Sequence, residues 1–257
     1  MEMLYGHPKS LKPIQSKYCP GCGHGVIHRL IAEVIDEMGL QTKSIITNPV
    51  GCSIWAELYF DFDSVQPAHG RTPAAATGIK RVLPDHLVIC YQGDGDLAAI
   101  GTAEIIHAAN RGEKFTTIFV NNAIYGMTGG QMAPTTLVGQ YATTSPQGRD
   151  PEGAGMGYPI KVCELLSSLT GTRYLARGAV NNPANIRKTK KMIKTAFEAQ
   201  LRGEGFTLVE ILSQCPTNWK LSPRESIDWL EQNMIPFYPL GEIKNTLSTA
   251  PAPGAAK

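Results

Sequence analysis

Two short polar motifs follow apolar runs that have the character of buried strands, and their residue types suit a metal ion and a phosphate. A Gly-Asp-Gly motif centred on Asp94 follows residues 87–92, and an Asn pair ending at Asn122 follows residues 115–120. A right-handed crossover between these strands would place Asp94 and Asn122 side by side at their carboxyl ends. Carboxylate and amide oxygens suit Mg2+, and the glycines let the backbone approach a phosphate.

The order of these motifs is more informative than either one. Gly-Asp-Gly is an ordinary turn tripeptide, whereas strand, Gly-Asp-Gly, helix, strand and Asn-Asn in succession resembles the thiamine diphosphate signature. Asp96 follows the first motif directly, and two roles are open for it. It could cap a helix that starts near Leu97, or it could contact the metal.

Four of the six cysteines lie before a helix or beyond a strand end, where thiolates can converge; these are Cys19, Cys22, Cys52 and Cys215. A structural zinc ion, an iron–sulfur cluster and a redox dithiol are all possible, and the spacing favours a cluster. The other two cysteines are expected in the core because they lie within an apolar strand and a helix, at Cys90 and Cys163.

The composition is that of a globular protein with a substantial core, since 42% of the 257 residues are hydrophobic and 18% are charged. The net charge of +2 is too small to indicate binding to nucleic acid or to an anionic membrane. No apolar run approaches the ~20 residues of a membrane span, and residues 1–6 lack a signal pattern. We therefore expect a cytoplasmic protein without nucleic-acid or membrane partners, whose cysteines are reduced or bound to metal.

Helical and strand patterns alternate along most of the chain, which predicts an α/β fold with an open, mostly parallel sheet and helices on both faces. Thr72 is expected to cap a helix that has Pro73 in its first turn. The predicted strands are 43–48, 87–92, 115–120, 173–178 and 206–212. The other predicted helices are 26–38, 97–111, 160–169, 183–202 and 223–233.

One long segment has no clear periodicity. Residues 126–158 are rich in glycine and proline, and a loop of this length in a compact domain is usually functional. We expect it to be an interface and active-site loop. Residues 1–247 are interpreted as one α/β domain, and residues 248–257 as a disordered tail.

Six motifs, in order between about residues 10 and 240, resemble the β subunit of 2-oxoacid:ferredoxin oxidoreductases. They are Cys19-Pro20-Gly21-Cys22-Gly23-His24-Gly25, Gly51-Cys52-Ser53, His69-Gly70-Arg71, Gly93-Asp94-Gly95-Asp96, Asn121-Asn122-Ala123-Ile124-Tyr125-Gly126-Met127-Thr128 and Cys215-Pro216-Thr217. The resemblance implies that the domain has the thiamine diphosphate-binding fold, binds the diphosphate half of the cofactor and carries one [4Fe-4S] cluster.

The resemblance also implies a role for individual residues. Mg2+ would be held by Asp94, Asn122 and the backbone carbonyl of Ile124, and the cluster by Cys19, Cys22, Cys52 and Cys215. The residues expected to line the cofactor are Gly51, Cys52, Ser53, His69, Gly95, Asp96, Gly126 and Met127. His69 and His24 are the candidate catalytic residues, although His24 could instead be a helix-start residue that bonds to backbone.

The implied reaction is oxidative decarboxylation of a 2-oxoacid to acyl-CoA and CO2, with electrons passing through the cluster to ferredoxin. Members that use 2-oxoglutarate often have Lys where this chain has Gly129. Without that cation, a branched-chain 2-oxoacid such as 2-oxoisovalerate is favoured, with 2-oxoglutarate next.

The chain has room for only one half of a thiamine site, so a partner is expected. An α subunit would supply the aminopyrimidine half and its activating glutamate, and γ and ferredoxin-like δ subunits would complete the complex. Coenzyme A, ferredoxin and the 2-oxoacid would be the other partners. Two alternatives remain: a non-oxidative thiamine diphosphate decarboxylase or synthase subunit with structural zinc, and a non-enzymatic metal-binding scaffold.

Overall fold

The computed structural model describes residues 6–248, which form a seven-stranded sheet flanked by helices. The strands are β1 (Ser44–Thr47), β2 (Asp63–Val65), β3 (Leu87–Gly93), β4 (Thr116–Asn121), β5 (Thr172–Ala179), β6 (Phe206–Leu212) and β7 (Gly241–Asn245). Their order is β2-β1-β3-β4-β6-β5-β7, and only the pairing of β7 with β5 is antiparallel. The predicted open, mostly parallel sheet is confirmed.

Helices pack on both faces of this sheet, as predicted. The helices are α1 (His24–Glu37), α2 (Ala56–Tyr59), α3 (Thr72–Val82), α4 (Thr102–Arg111), α5 (Val162–Ser167), α6 (Pro183–Leu201), α7 (Pro216–Trp219), α8 (Pro223–Trp229) and α9 (Ile235–Phe237). Successive residues of β3 point to opposite faces, so that Ile89 joins the core under α1 and α6. Cys90 joins the core under α3, α4 and α5 together with Cys163, and the core prediction for both cysteines holds.

Several predicted boundaries are wrong, and each has a local reason. Thr72 is the first residue of α3 and not its cap, because Arg71 occupies the cap position. The predicted helix 97–111 is instead a π-helical turn over Asp96–Ile100 followed by α4, with Gly101 between them. The edge strands β2 and β7 were not predicted, since both are short and neither contains a buried residue.

Two other predictions concern the ends of the chain and membranes. Most of the segment in which no signal pattern was found, residues 1–5, lies outside the described residues. The same is true of residues 249–257, which make up nearly all of the predicted tail. Within residues 6–248, no helix has both the length and the hydropathy that a membrane span needs.

A buried ion-pair network ties three central elements together. The guanidinium of Arg177, on β5, lies 2.8 Å from Glu210 on β6 and 2.6 Å from Glu164 on α5. Both Arg177 and Glu210 have fully buried side chains. Glu210 also accepts a 2.8 Å hydrogen bond from Asn121, the last residue of β4. The network therefore connects the sheet to the motif that follows β4.

We expect Arg177→Met to lower the free energy of unfolding by about 3–5 kcal/mol, because it leaves Glu210 buried without its charged partner. Urea unfolding followed by circular dichroism measures this loss. Arg81→Met is the control, since Arg81 is a mostly exposed partner of Glu113 and its removal should cost only about 0–1 kcal/mol. Equal losses in the two variants would contradict a structural role for the network.

Candidate active site

A cleft of about 400 Å³ opens at the carboxyl ends of the central strands. This is where open parallel sheets bind ligands. All the residues that the resemblance assigned to the cofactor, to Mg2+ or to catalysis line this cleft: His24, Gly51, Cys52, Ser53, His69, Asp94, Gly95, Asp96, Asn122, Ile124, Gly126 and Met127. The fold thus brings together segments that are far apart in the sequence.

Asp94 is a buried carboxylate at the bottom of the cleft. Its Oδ2 accepts hydrogen bonds from the Thr135 hydroxyl at 2.9 Å and the Ile124 backbone N–H at 3.1 Å, and its Oδ1 accepts one from the Gly95 N–H at 3.0 Å. Burial nevertheless raises the pKa of Asp94 to about 7. The ionised carboxylate is therefore costly here until a cation joins it.

The side chain of Asn122 completes a set of oxygens beside Asp94. One terminal atom of its amide lies 2.7 Å from the Ile124 carbonyl oxygen and 3.2 Å from Asp94 Oδ2. With nitrogen at this position the amide would donate to both oxygens. With oxygen there, the atom accepts a hydrogen bond from the Ile124 N–H at 3.3 Å and lies beside two further acceptors. Neighbouring ligands of octahedral Mg2+ lie about 3.0 Å apart, given bonds of about 2.1 Å. These three groups therefore fit Mg2+, with the Asn122 oxygen turned inward.

The turn between Asn122 and Ile124 is held in an unusual conformation. Ala123 has a φ of +56°, in the left-handed region that costs a non-glycine residue roughly 1–2 kcal/mol. The Asn121 side chain accepts a hydrogen bond from the Ala123 N–H at 3.1 Å. Thr136 and Gln140 donate hydrogen bonds to the Ala123 carbonyl at 2.7 and 3.1 Å. These bonds hold the turn that places the Ile124 carbonyl oxygen beside the Asn122 amide.

Asp96 does not cap the helix that follows it, which was one of the two roles open for it. It makes no cap hydrogen bond, and both of its oxygens are occupied by protein donors. Oδ1 lies 2.6 Å from His69 Nδ1 and 2.5 Å from the Gly70 nitrogen, while Oδ2 accepts from Gln92 at 2.6 Å and Thr72 at 3.4 Å. Asp96 therefore holds His69 at the wall of the cleft, and Nε2 is the nitrogen through which His69 can meet a ligand.

His24 lies at the start of α1 in an aromatic environment. Its Nδ1 is 2.5 Å from the Tyr91 hydroxyl, and its ring stacks on Tyr18 with centroids 4.8 Å apart. This side-chain partner replaces the backbone partner that was the alternative prediction for His24. Burial lowers the pKa of His24 to about 4, so the imidazole is neutral at neutral pH and can exchange hydrogen bonds but not act as a cation.

Four thiols gather beside the cleft. A Cβ atom built on Gly126 would lie 3.3 Å from Cys52 Sγ and 3.7 Å from Cys215 Sγ, so both sulfurs lie beside the same point. The pKa of the Cys22 thiol is raised to about 12 by burial and by the nearby thiols of Cys215, Cys52 and Cys19. The four side chains therefore lie close enough to affect one another's ionisation.

Four thiols match the number of ligands that either a zinc ion or an iron–sulfur cluster takes. Among residues 6–248, no set of three or more His, Cys, Asp or Glu side chains is placed to hold one metal ion. Tetrahedral zinc would need sulfurs about 3.8 Å apart, given bonds of about 2.3 Å. An iron–sulfur cluster would instead take one thiolate on each iron, and four thiols match that number.

Two residues near the site were missed because no sequence pattern marks them. Thr135 bonds to Asp94 from within the long loop, and Asn218 on α7 bonds to Cys215. The loop itself is anchored within this chain by Arg149, whose buried guanidinium donates to loop carbonyls that include those of Thr136 and Tyr158. The packing of the loop against Asp94 supports its predicted role at the active site.

The family model for the thiamine pyrophosphate enzyme, C-terminal TPP binding domain, matches residues 50–211. Among curated proteins, the ketoisovalerate oxidoreductase subunit VorA of Methanothermobacter marburgensis is 49% identical over 236 residues, which are 92% of this chain and 49% of that protein. The chain thus spans about half the length of this relative. The 2-oxoglutarate synthase subunit KorB of Methanocaldococcus jannaschii is 37% identical over 225 residues, which are 85% of this chain and 78% of that protein.

A solved structure agrees with these relatives. The 2-oxoglutarate:ferredoxin oxidoreductase from Magnetococcus marinus, with 2-oxoglutarate, coenzyme A and succinyl-CoA bound, matches with a TM-score of 0.79 and 28% identity. The match covers 98% of this chain and 88% of that one. This fold and cleft are therefore those of a thiamine diphosphate-binding domain. Within that class, the chain belongs to the family of 2-oxoacid:ferredoxin oxidoreductase subunits, as the sequence motifs predicted.

We expect Asp94→Asn to weaken Mg2+-dependent binding of thiamine diphosphate by on the order of 100-fold or more, because removing one partner of a buried charge pair costs about 3–5 kcal/mol. Titration calorimetry of the folded protein with the cofactor and Mg2+ measures the affinity. The exposed Asp63, on edge strand β2, provides the control Asp63→Asn, which should bind as the wild type does. An affinity loss below tenfold in Asp94→Asn would refute the metal assignment.

Proposed function

We propose that this chain is the thiamine diphosphate-binding subunit of a hetero-oligomeric 2-oxoacid:ferredoxin oxidoreductase. One observation carries the proposal: Cys52 both lines the cofactor cleft and belongs to the group of four interacting thiols. A cofactor in the cleft and a [4Fe-4S] cluster on Cys19, Cys22, Cys52 and Cys215 would then share a wall. That adjacency suits a reaction in which electrons leave the cofactor one at a time.

The residues of this chain would mainly bind and orient. Thiamine diphosphate, when bound, supplies the carbanion chemistry that cleaves the bond to the departing CO2. Asp94, Asn122 and the Ile124 carbonyl would hold Mg2+, and with it the diphosphate, while Gly95 lets the backbone come close. His69, fixed through Nδ1 by Asp96, would offer Nε2 to the substrate or cofactor.

The composition of the cleft supports the need for a partner subunit. Within residues 6–248, the only carboxylates that line it are Asp94 and Asp96, and the hydrogen bonds described above engage both. The glutamate that activates the aminopyrimidine would come from an α subunit. Val50, Ile100 and Met127 line the same cleft with 41–49% of their surface exposed, and an α subunit would cover them. The γ, δ and ferredoxin partners are proposed from the resemblance.

The cleft also favours an apolar substrate. No Lys or Arg side chain lines it in the described part of the chain, so nothing there would neutralise a second carboxylate. Gly129 lies just beyond the lining residues and adds no charge. We propose a branched-chain 2-oxoacid such as 2-oxoisovalerate, and the higher identity to the ketoisovalerate oxidoreductase subunit than to the 2-oxoglutarate synthase subunit supports this choice.

We expect the complex purified from its native source to oxidise 2-oxoisovalerate faster than 2-oxoglutarate, in a reaction that requires coenzyme A and reduces ferredoxin. The single chain, with its cluster reconstituted and with cofactor and Mg2+ added, should be inactive because it lacks the activating glutamate. Steady-state assays over a panel of 2-oxoacids measure both points. Turnover by the single chain near the rate of the complex would refute the need for a partner, and preference for 2-oxoglutarate would refute the substrate.

We expect the chain to bind iron and sulfide and not stoichiometric zinc, and substitution of any one of Cys19, Cys22, Cys52 or Cys215 by Ala should lose or convert the cluster. Anaerobic metal and sulfide analysis of each variant measures this. Cys90→Ala is the matched control, because Cys90 lies in the core and should not affect the iron content. Stoichiometric zinc without sulfide in anaerobic wild-type protein would instead support the non-oxidative alternative.

A further inference from the structure

Asn218 contacts the thiol group and the cofactor cleft at the same time. Its Nδ2 lies 3.2 Å from Cys215 Sγ and 2.9 Å from the carbonyl oxygen of Gly126, which lines the cleft. A primary amide carries two N–H bonds, so one nitrogen can donate to both acceptors. The side chain of Asn218 therefore connects the proposed cluster site directly to the proposed cofactor site.

Glycines make this close approach possible. A Cβ on Gly126 would lie 3.7 Å from Asn218 Nδ2, and one on Gly130 would lie 3.3 Å from its Oδ1. Both glycines belong to the start of the long loop, so the amide of Asn218 packs against the loop from the side of the thiols. The orientation of its N–H toward Cys215 is therefore set by packing on both of its terminal atoms.

The chain offers few other donors to this sulfur. Pro216 follows Cys215 directly and has no N–H. The backbone N–H of Asn218 is also directed at the sulfur, and it would survive a change of side chain. A substitution at Asn218 therefore removes one identifiable hydrogen bond to Cys215 and leaves the backbone donor in place.

We propose that the Asn218 side chain tunes the cluster by donating a hydrogen bond to Cys215, which raises the reduction potential. This inference rests on the proposed function, in which Cys215 is a cluster ligand. When the oxidised cluster takes up one electron, negative charge on its thiolate sulfurs increases, and an N–H dipole directed at one of them stabilises the reduced form more than the oxidised form. Asn218 acts as a positioning and tuning residue and not as a catalytic one.

The test is the midpoint potential of the cluster in the full chain, measured anaerobically by a redox titration followed by electron paramagnetic resonance. Asn218→Leu has a similar shape but no donor, and it should make reduction about three to ten times less favourable, where tenfold corresponds to 59 mV for a one-electron couple. Asn218→Asp should shift the potential at least as far in the same direction, because it adds negative charge. Asn233→Asp, at an exposed residue that bonds to the Trp229 carbonyl, is the matched control and should leave the potential unchanged.

Iron and sulfide contents of each variant distinguish a failure of the proposed function from a failure of the tuning role of Asn218. Wild-type protein without a cluster would overturn the proposed function and this inference together. A full cluster in all variants with the same potential as the wild type would overturn the inference alone. If Asn218→Leu failed to retain its cluster, the direction of the shift in Asn218→Asp would decide, and no shift or a more positive potential would refute the proposal.

Discussion

The parallel pairing of β3 with β4 is the constraint on which the site depends. Its register places Gly93 opposite Val120, so Asp94 and Asn122 leave the sheet at adjoining points. The two residues are far apart in sequence, and only this pairing makes them neighbours. Burial then raises the pKa of Asp94 to about 7, so the same geometry that forms the site leaves a carboxylate whose ionised form a neighbouring cation would stabilise.

The adjacent residues Asn121 and Asn122 have different roles, because Asn121 bonds within the sheet and Asn122 faces the cleft. Asn121 donates to Glu210 within the buried network and accepts from the N–H of Ala123, which fixes the strained turn to the sheet. Asn122 is then the residue presented to the cleft. A buried charge network is weak evidence for stability in general. Here its geometry gives it a second effect, because Arg177 and Glu210 hold Asn121, the residue that orients the turn proposed to bind Mg2+.

The sequence allowed good prediction of features that depend on local order. Strand β6 was predicted at its observed bounds, because a buried parallel strand is a continuous apolar run. Features set by distant partners could not be predicted. Asp96 has the local character of a helix cap, yet its partners include His69 and Thr72, which come from another segment. Edge strand β7 lacks a buried run, since it pairs only with β5.

The glycine of the Tyr-Gly-Met motif shows how closely the two halves of the site constrain each other. Gly129 and Gly130 have positive φ angles, so their backbone conformation calls for glycine, but Gly126 does not. Its side-chain position is instead bordered by sulfur, because a Cβ there would lie in tight contact with Cys52 Sγ, at 3.3 Å, and in ordinary contact with Cys215 Sγ, at 3.7 Å. A side chain larger than that of glycine at position 126 would push the cleft wall away from these two thiols. Gly126 therefore lies between the cleft proposed for the cofactor and the thiols proposed for the cluster, and its lack of a side chain keeps the wall between them thin.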